Sequence, residues 1–437
     1  MRLELLIEVV RKELGLFFSS PIGYLFLAAY LGVTLFVFFW GEAFFVRNIS
    51  DVRPMFEWFP LLLIFLAAAL TMRIWSDERR TGTIEFIVTL PATSVELVAG
   101  KFAACLALLV VALLVTLPLP ILVSLVGDLD LGPVVAGYVA TLLLGSSYLA
   151  IGLFVGSRTD NQFVALILTV FLCGMFYLLG SDFLTGLFSN DIGSFLRELG
   201  AGSRFESITR GVLDLPDLYF YLSITVSFLV LNVYSLKALG WAHDGDKRHH
   251  RLANLTTLAL CANLLVANIW MHGMNFLRWD LTEGDQYSIS EVTRQTLAQL
   301  QEPLLLLLAP LVPQLKDLLK EYEVAGGGSV RLEFVAPIEN PELEDEANSA
   351  YGIRPVPFSV KDRYESSLVQ SYFDVLVKYA DEYIVLGFRD LIEIKIVGEA
   401  DIDVMLRNPE FDLTRSVRKI LAEFQGGGST FDYIPNP

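Results

Sequence analysis

The chain has 437 residues, of which 54% are hydrophobic and only 19% charged, giving a mean hydropathy of +0.54. Its apolar residues are clumped into runs of about 20, the length that spans a bilayer, so a soluble enzyme, a disordered chain and a secreted disulfide scaffold are excluded. From Gly273 onward 15 Lys and Arg face 28 Asp and Glu, which places most of the net charge of −17 there; this excludes nucleic acid as a partner, because phosphate binding needs clustered cations.

Leu3, Leu6, Val10, Leu14 and Phe17 recur at helical spacing near the N-terminus. They predict an amphipathic helix over residues 1–20 that lies on the membrane surface or packs on a partner. Seven spans follow, at about Pro21–Trp40, Phe56–Ile74, Phe102–Val126, Pro133–Val155, Phe163–Gly180, Leu218–Leu239 and Leu252–His272. Basic residues mark alternate loops: Arg73, Arg79, Arg80 and Lys101 in one, Arg158 in another, Lys247, Arg248 and Arg251 in a third. By the positive-inside rule the N-terminus is cytoplasmic and everything after His272 lies outside. The Asn190–Pro216 stretch, with Arg197, Arg204 and Arg210, is an exception and falls outside.

Beyond the seventh span the pattern changes to short strands and helices. A helix is expected over Ser290–Gln301, a buried strand over Leu304–Leu308, a helix over Val312–Glu323 and an alternating strand over Val330–Phe334. A hairpin turns at Ala380-Asp381, and Leu413–Phe424 is helical. Such alternation predicts an α/β domain. The two GGGS stretches, at Gly326–Ser329 and Gly426–Ser429, read as loops.

No span carries Asp, Glu, Lys or Arg near its middle. Ion-coupled carriers mark their path with such residues, which argues against a secondary carrier. Asn232, Asn263 and Asn268 are the main polar residues within the spans and suit interhelical hydrogen bonds. No phosphate-binding GxxxxGK[ST] loop, HExxH motif or zinc cluster occurs, so the reading is a non-enzyme without catalytic or metal residues. If ATP drives the protein, a separate subunit hydrolyses it, and ATP and Mg belong there.

The most informative loop runs from Arg73 to Lys101. Its charged segment precedes an amphipathic helix around Thr83–Leu90, a break at Pro91 and a second helix entering the membrane at Lys101. It offers a short surface helix on which a partner could push, although an ordinary charged loop has the same composition. Glu78, Arg79, Arg80, Thr81, Gly82, Thr83, Glu85 and Pro91, closing with Gly100 and Lys101, form a pattern that resembles the coupling-helix region of ABC-2 type permeases. Phe205–Tyr221 resembles the segment these permeases carry before their sixth span. A second stretch resembles the start of the extracytoplasmic subunit of gliding-motility-associated (Gld) ABC transporters. Its marker residues are Asp280, Thr282, Tyr287, Ser288, Ser290, Thr293, Glu302 and Pro303.

Together these imply an α-helical polytopic ABC-2 permease with six spans plus a seventh, fused to a C-terminal extracytoplasmic α/β domain. The expected order is the interfacial helix at 1–20, the permease at 21–240, a basic linker and seventh span at 241–272, and a Gld-type periplasmic domain at 273–437 whose second half is not reached. The resemblance implies a bacterial inner-membrane exporter subunit, working as a permease homodimer with a separate ABC ATPase. An outer-envelope partner or cargo would bind the periplasmic domain. The alternatives are a permease for copper-site maturation of nitrous oxide reductase and a non-transporting membrane-anchored scaffold.

Overall fold

The structure is a computed structural model that describes residues 3–41, 44, 51–84, 86, 92–127, 129–185, 196, 199–240, 247–272, 278–283, 289–300, 303–308, 313–326, 329–334, 348–349, 351–354, 356–361, 366–371, 374–380, 382–387, 390, 392–396, 402–406 and 409–424. It divides into two compact units, Met1–Gly284 and Asp285–Pro437.

The first unit is helical. Helix α1 (Leu3–Ser19) leads into α2 (Pro21–Phe36), whose proline sits in the first turn, where its missing N–H costs nothing. A π-turn at Val37–Gly41 extends it. Then come α3 (Phe59–Thr71), the short α4 (Ser76–Arg80), α5 (Ser94–Thr116) and α6 (Pro118–Val126). Helix α7 (Leu131–Gly156) begins at Asp130, whose carboxylate accepts the Gly132 N–H at 2.8 Å as an N-cap. Asn161 does the same for α8 (Gln162–Leu178), accepting from Phe163 at 2.9 Å. After α9 (Ala201–Thr209) and β1 (Val212–Asp214) come α10 (Leu215–Gly240), α11 (Lys247–His272) and β2 (Arg278–Asp280).

Among the described residues, five helical stretches are long and apolar enough to cross a membrane: Gly23–Gly41, Phe59–Arg80, Ser94–Val126, Leu131–Gly156 and Leu215–Ala238. The other two expected spans fall on shorter apolar helices, Gln162–Leu178 and Ala253–Asn268. The physical reasons differ. Helix α8 runs into a turn at Leu179-Gly180, whereas the first turns of α11 are the basic run Lys247–Arg251, which shortens its apolar stretch. The third span is longer than expected because its helix starts at Ser94, eight residues before Phe102.

Helices α7 and α10 run side by side, joined by hydroxyls. Ser147 Oγ donates to the Tyr221 carbonyl at 3.1 Å, Ser146 Oγ lies 3.2 Å from Thr225 Oγ1, and Ser235 Oγ donates to the Ser157 carbonyl at 3.4 Å. In a membrane, such bonds and close packing replace the hydrophobic drive. Helix α11 lies along α10 through Asn268, whose amide donates to Ser223 Oγ at 2.7 Å, and through Tyr234 and Asn254. The two arginines of the exceptional loop that are described are both paired: Arg204 meets Asp217 at 2.6 Å and Arg210 meets Glu206 at 2.9 Å.

The second unit is built on a four-stranded sheet in the order β4-β3-β7-β8, formed by Val330–Phe334, Leu304–Leu308, Val375–Tyr379 and Glu382–Leu386. Strand β3 pairs parallel with β4 and antiparallel with β7. Helices α12 (Glu291–Leu297), α13 (Pro313–Ala325) and α14 (Pro409–Phe424) supply Leu297, Leu315, Leu319, Tyr322, Val417 and Ile420 to its core. The Leu304–Leu308 and Val330–Phe334 strands stand as expected, and Ala380 turns the β7–β8 hairpin at φ +52°. Two further antiparallel pairs, β5 with β6 (Val356–Lys361, Ser366–Ser371) and β9 with β10 (Ile392–Ile396, Ile402–Leu406), were not among the expected elements, although Ile392, Ile394 and Ile396 alternate with Glu393 and Lys395 as a strand requires.

Candidate functional site

The Arg73–Lys101 region is organised around one buried cation. Helix α5 starts with a capping box, in which Thr93 Oγ1 accepts the Glu96 N–H at 3.3 Å and Glu96 Oε2 accepts the Thr93 N–H at 3.0 Å. That cap fixes the helix two turns before Lys101, whose side chain is only 3% exposed. Lys101 Nζ donates to Glu13 Oε1 at 2.8 Å, to Glu78 Oε1 at 2.8 Å and to the Ile74 carbonyl at 3.3 Å. An ammonium has three donors, and here each has an acceptor. The charge also stands 4.6 Å over the ring of the fully buried Trp75, a cation–π contact strengthened by the exclusion of water.

Three elements therefore meet at Lys101: α1 through Glu13, the α3–α4 turn through Ile74 and Trp75, and α4 through Glu78. Gly100 makes the meeting possible. A Cβ there would stand 2.6 Å from Val9 Cγ1, so only glycine lets α1 lie this close to α5. The Gly100-Lys101 pair thus acts as one device, an approach followed by a tie.

Helix α4 is held from the other side as well. Arg79 donates from Nε to Asp160 Oδ1 at 2.6 Å and from Nη1 to the Ser157 carbonyl at 2.6 Å. Asp77 accepts from Gln162 and pairs with Arg73 at 3.1 Å and with Arg80 at 3.6 Å. Thr81 Oγ1 donates to the Asp77 carbonyl at 2.8 Å and Thr83 Oγ1 to the Glu78 carbonyl at 3.3 Å, winding the chain into a turn at Gly82, where φ is +73°. So a five-residue helix is bonded to α5 and to the 157–162 segment that joins α7 to α8, and is linked to α1 through the Lys101 it shares with Glu13. A push on α4 reaches all three through hydrogen-bonded charges.

Of the expected loop residues, Glu78 and Lys101 form the cluster, Gly100 admits α1, and Arg73, Arg79, Arg80, Thr81, Gly82 and Thr83 surround it. Glu85 and Pro91, and with them most of the expected Thr83–Leu90 helix, lie outside the described residues. Glu78 faces inward to Lys101, whereas Arg80 and Phe86 present exposed side chains, Phe86 at 75%. Sequence reasoning missed Glu13, Trp75, Asp160 and Gln162. For Glu13 a signal existed: it lies three residues after Val10 and four before Phe17, on the apolar stripe of α1.

The second set of residues divides between the two units. Asp280 and Thr282 belong to the first, where Asp280 Oδ1 accepts the Thr282 N–H at 3.0 Å and its hydroxyl at 2.6 Å. Ser290 and Thr293 belong to the second. Ser290 caps α12, and Glu410 Oε1 accepts from the Ser290 N–H at 2.7 Å and from Thr293 Oγ1 at 2.6 Å. Thr414 joins Thr293 to Tyr322, at 2.8 and 2.6 Å, and burial pushes the Tyr322 phenol up. This network fastens α14 to α12 and α13. Pro303 precedes β3, and Tyr287, Ser288 and Glu302 lie outside the described residues.

Residues 18–281 match the family described as ABC-2 family transporter protein, and residues 283–378 match a domain of unknown function, DUF7088. The boundary between the two matches falls beside the boundary between the two structural units. No curated protein matches the chain. Because the first match takes in well over half of the sequence, the chain belongs to the ABC-2 transporter family: it is a multi-pass membrane permease subunit of an ABC transporter, a family that implies an ABC ATPase partner.

Proposed function

We propose that this permease is the bacterial inner-membrane half of an ATP-driven exporter, with its N-terminus and the α4 region in the cytoplasm and residues 285–437 on the periplasmic side. Two copies form the pathway, and a separate ATPase docks on the exposed side of the α4 turn. The distal α/β unit is the Gld-type domain that engages cargo or an outer-envelope partner. Alternation of basic loops supports the orientation. The abrupt change from membrane helices to an acidic α/β unit supports a fused extracytoplasmic domain.

The observation that carries the coupling reading is the Lys101 cluster. A loop that only connected two spans would have no need of a buried ammonium held by carboxylates from α1 and α4. Burying such charges is costly unless every partner is in place. Here the arrangement makes α4, α1 and α5 one mechanical body at the surface where a partner acts.

Purification of the full chain in a mild detergent tests the reading. An ATP-binding cassette subunit should come with it and should be lost when Arg80 and Phe86 are both replaced by alanine. The Lys101→Met variant should keep the subunit bound but hydrolyse ATP without moving cargo. Recovery of the chain with no ATPase, under conditions that keep its fold, would contradict the proposal.

A further inference from the structure

At the other end of α7, about 39 Å from Gly156 at ~1.5 Å per residue, the segment after α11 is built into the membrane unit. Strand β2 pairs antiparallel with β1, setting Val212 opposite Asp280, Leu213 opposite Trp279 and Asp214 opposite Arg278. The ladder continues where the Leu281 N–H donates to the Gly211 carbonyl at 3.0 Å. Asp130 then serves two chains at once. One carboxylate oxygen caps α7 at Gly132, and the other accepts the Glu283 N–H at 3.1 Å.

Two glycines are shaped to this segment. A Cβ on Gly132 would stand 2.0 Å from the Leu281 carbonyl oxygen, which is a backbone atom and cannot turn aside. Gly211, at φ +106°, would set a Cβ 2.6 Å from Thr282 Cγ2. Thr282 itself is 6% exposed and is locked by its bonds to Asp280. A flexible tether would need none of this. The elements that receive the segment, α7 and the turn leading into α10, are the two helices already joined by Ser146, Ser147, Tyr221 and Thr225.

We propose that Arg278–Glu283 is a fixed stem. Docked on Asp130, Gly132 and Gly211, it ties the chain that follows α11 to the α7–α10 pair, so that it moves with that pair. That the pair moves at all rests on the proposed ATP-driven export; that the stem is docked does not.

Cysteines replacing Leu213 and Trp279 in the full chain, oxidised in membranes, test the stem. Residues directly opposite on paired strands are close enough to bridge, so this pair should cross-link about tenfold more than an out-of-register pair at Leu213 and Glu283. Asp130→Asn, whose single amide oxygen can keep the α7 cap while giving up the bond to Glu283, and Gly132→Val should each lower the yield, and the former leaves a folded reference. In a complex with the ATPase, the locked chain should hydrolyse ATP as fast as the reduced chain, because a fixed stem has no need to open. Equal yields for both cysteine pairs, yields unchanged in both variants, or hydrolysis stopped by the lock would each overturn the proposal. If no ATPase is recovered the proposed ATP-driven export fails, and cross-linking still decides the stem.

Discussion

Lys101 and Glu13 lie 88 residues apart in the chain and meet at 2.8 Å with their side chains 3% and 8% exposed. A charge pair so well removed from water holds only while its partners stay complete. Truncating one member of a buried pair costs about 3–5 kcal/mol, because the remaining charge is stranded. Lys101→Met strands two carboxylates and should lower the unfolding midpoint of the purified permease by the equivalent of that cost. Combining it with Glu13→Gln and Glu78→Gln removes every stranded charge and should recover most of the loss. A triple variant no more stable than Lys101→Met would show that the cluster is not a closed electrostatic unit.

Gly100 offers a steric test of the same junction. Gly100→Ala places a methyl against Val9, and overpacking of this kind typically costs about 1–3 kcal/mol. The loss should appear as weaker protection of α1 amides in hydrogen exchange, with α5 little changed. Uniform loss over both helices would mean that the glycine serves α5 itself.

The exposed side of the turn should behave differently. Arg80→Ala and Phe86→Ala remove exposed side chains, the former giving up only an exposed ion pair with Asp77, so stability should stay within about 1 kcal/mol of the parent. Affinity for the ATPase should fall by about 2 kcal/mol if Phe86 is an anchor. Titration of the detergent-solubilised permease with the purified subunit reads this directly, and unchanged affinity in the double variant would move the docking surface elsewhere.

In the second unit, burial and the neighbouring Asp390 hold the Asp374 carboxyl above its ordinary range. A raised folded-state pKa means that the native state binds the proton more tightly than the unfolded chain does. Stability from this group is therefore full below the ordinary aspartate value near 3.9 and is lost as pH rises through the raised one. Asp374→Asn should flatten that part of the profile and raise the denaturation midpoint of the unit at neutral pH. The reverse slope would mean that the carboxylate is stabilised by the fold.

Much of this was legible in the sequence. Spacing of apolar residues revealed α1 and the long spans, because lipid demands unbroken hydrophobic runs, and strict alternation revealed β4. Where the pattern is less regular the outcome was mixed. The 17-residue α8 and the basic start of α11 carry the hydropathy of spans without a full span's apolar length. Within the loop the residue types singled out a segment, but not the direction each side chain faces. Glu78 reads as an exposed acid until its partner 23 residues onward is seen to be buried. The roles of Gly132 and Gly211 depend on a chain segment that returns after two helices, and local pattern carries no information about such a return.

Helices α4, α1 and α5 should move as one body when the partner acts. Spin labels at Lys12 and Arg73, both exposed and neither on the docking side, read it most directly, as the distance between them in the ATPase complex without nucleotide and after trapping with ATP and vanadate. The account predicts a change within about 2 Å, the scale of small helix shifts, and a broadened distribution once Glu13, Glu78 and Lys101 are all neutralised. A shift in the intact protein of about 5 Å or more, a full helical turn, would show that α1 and α4 move independently and would contradict it.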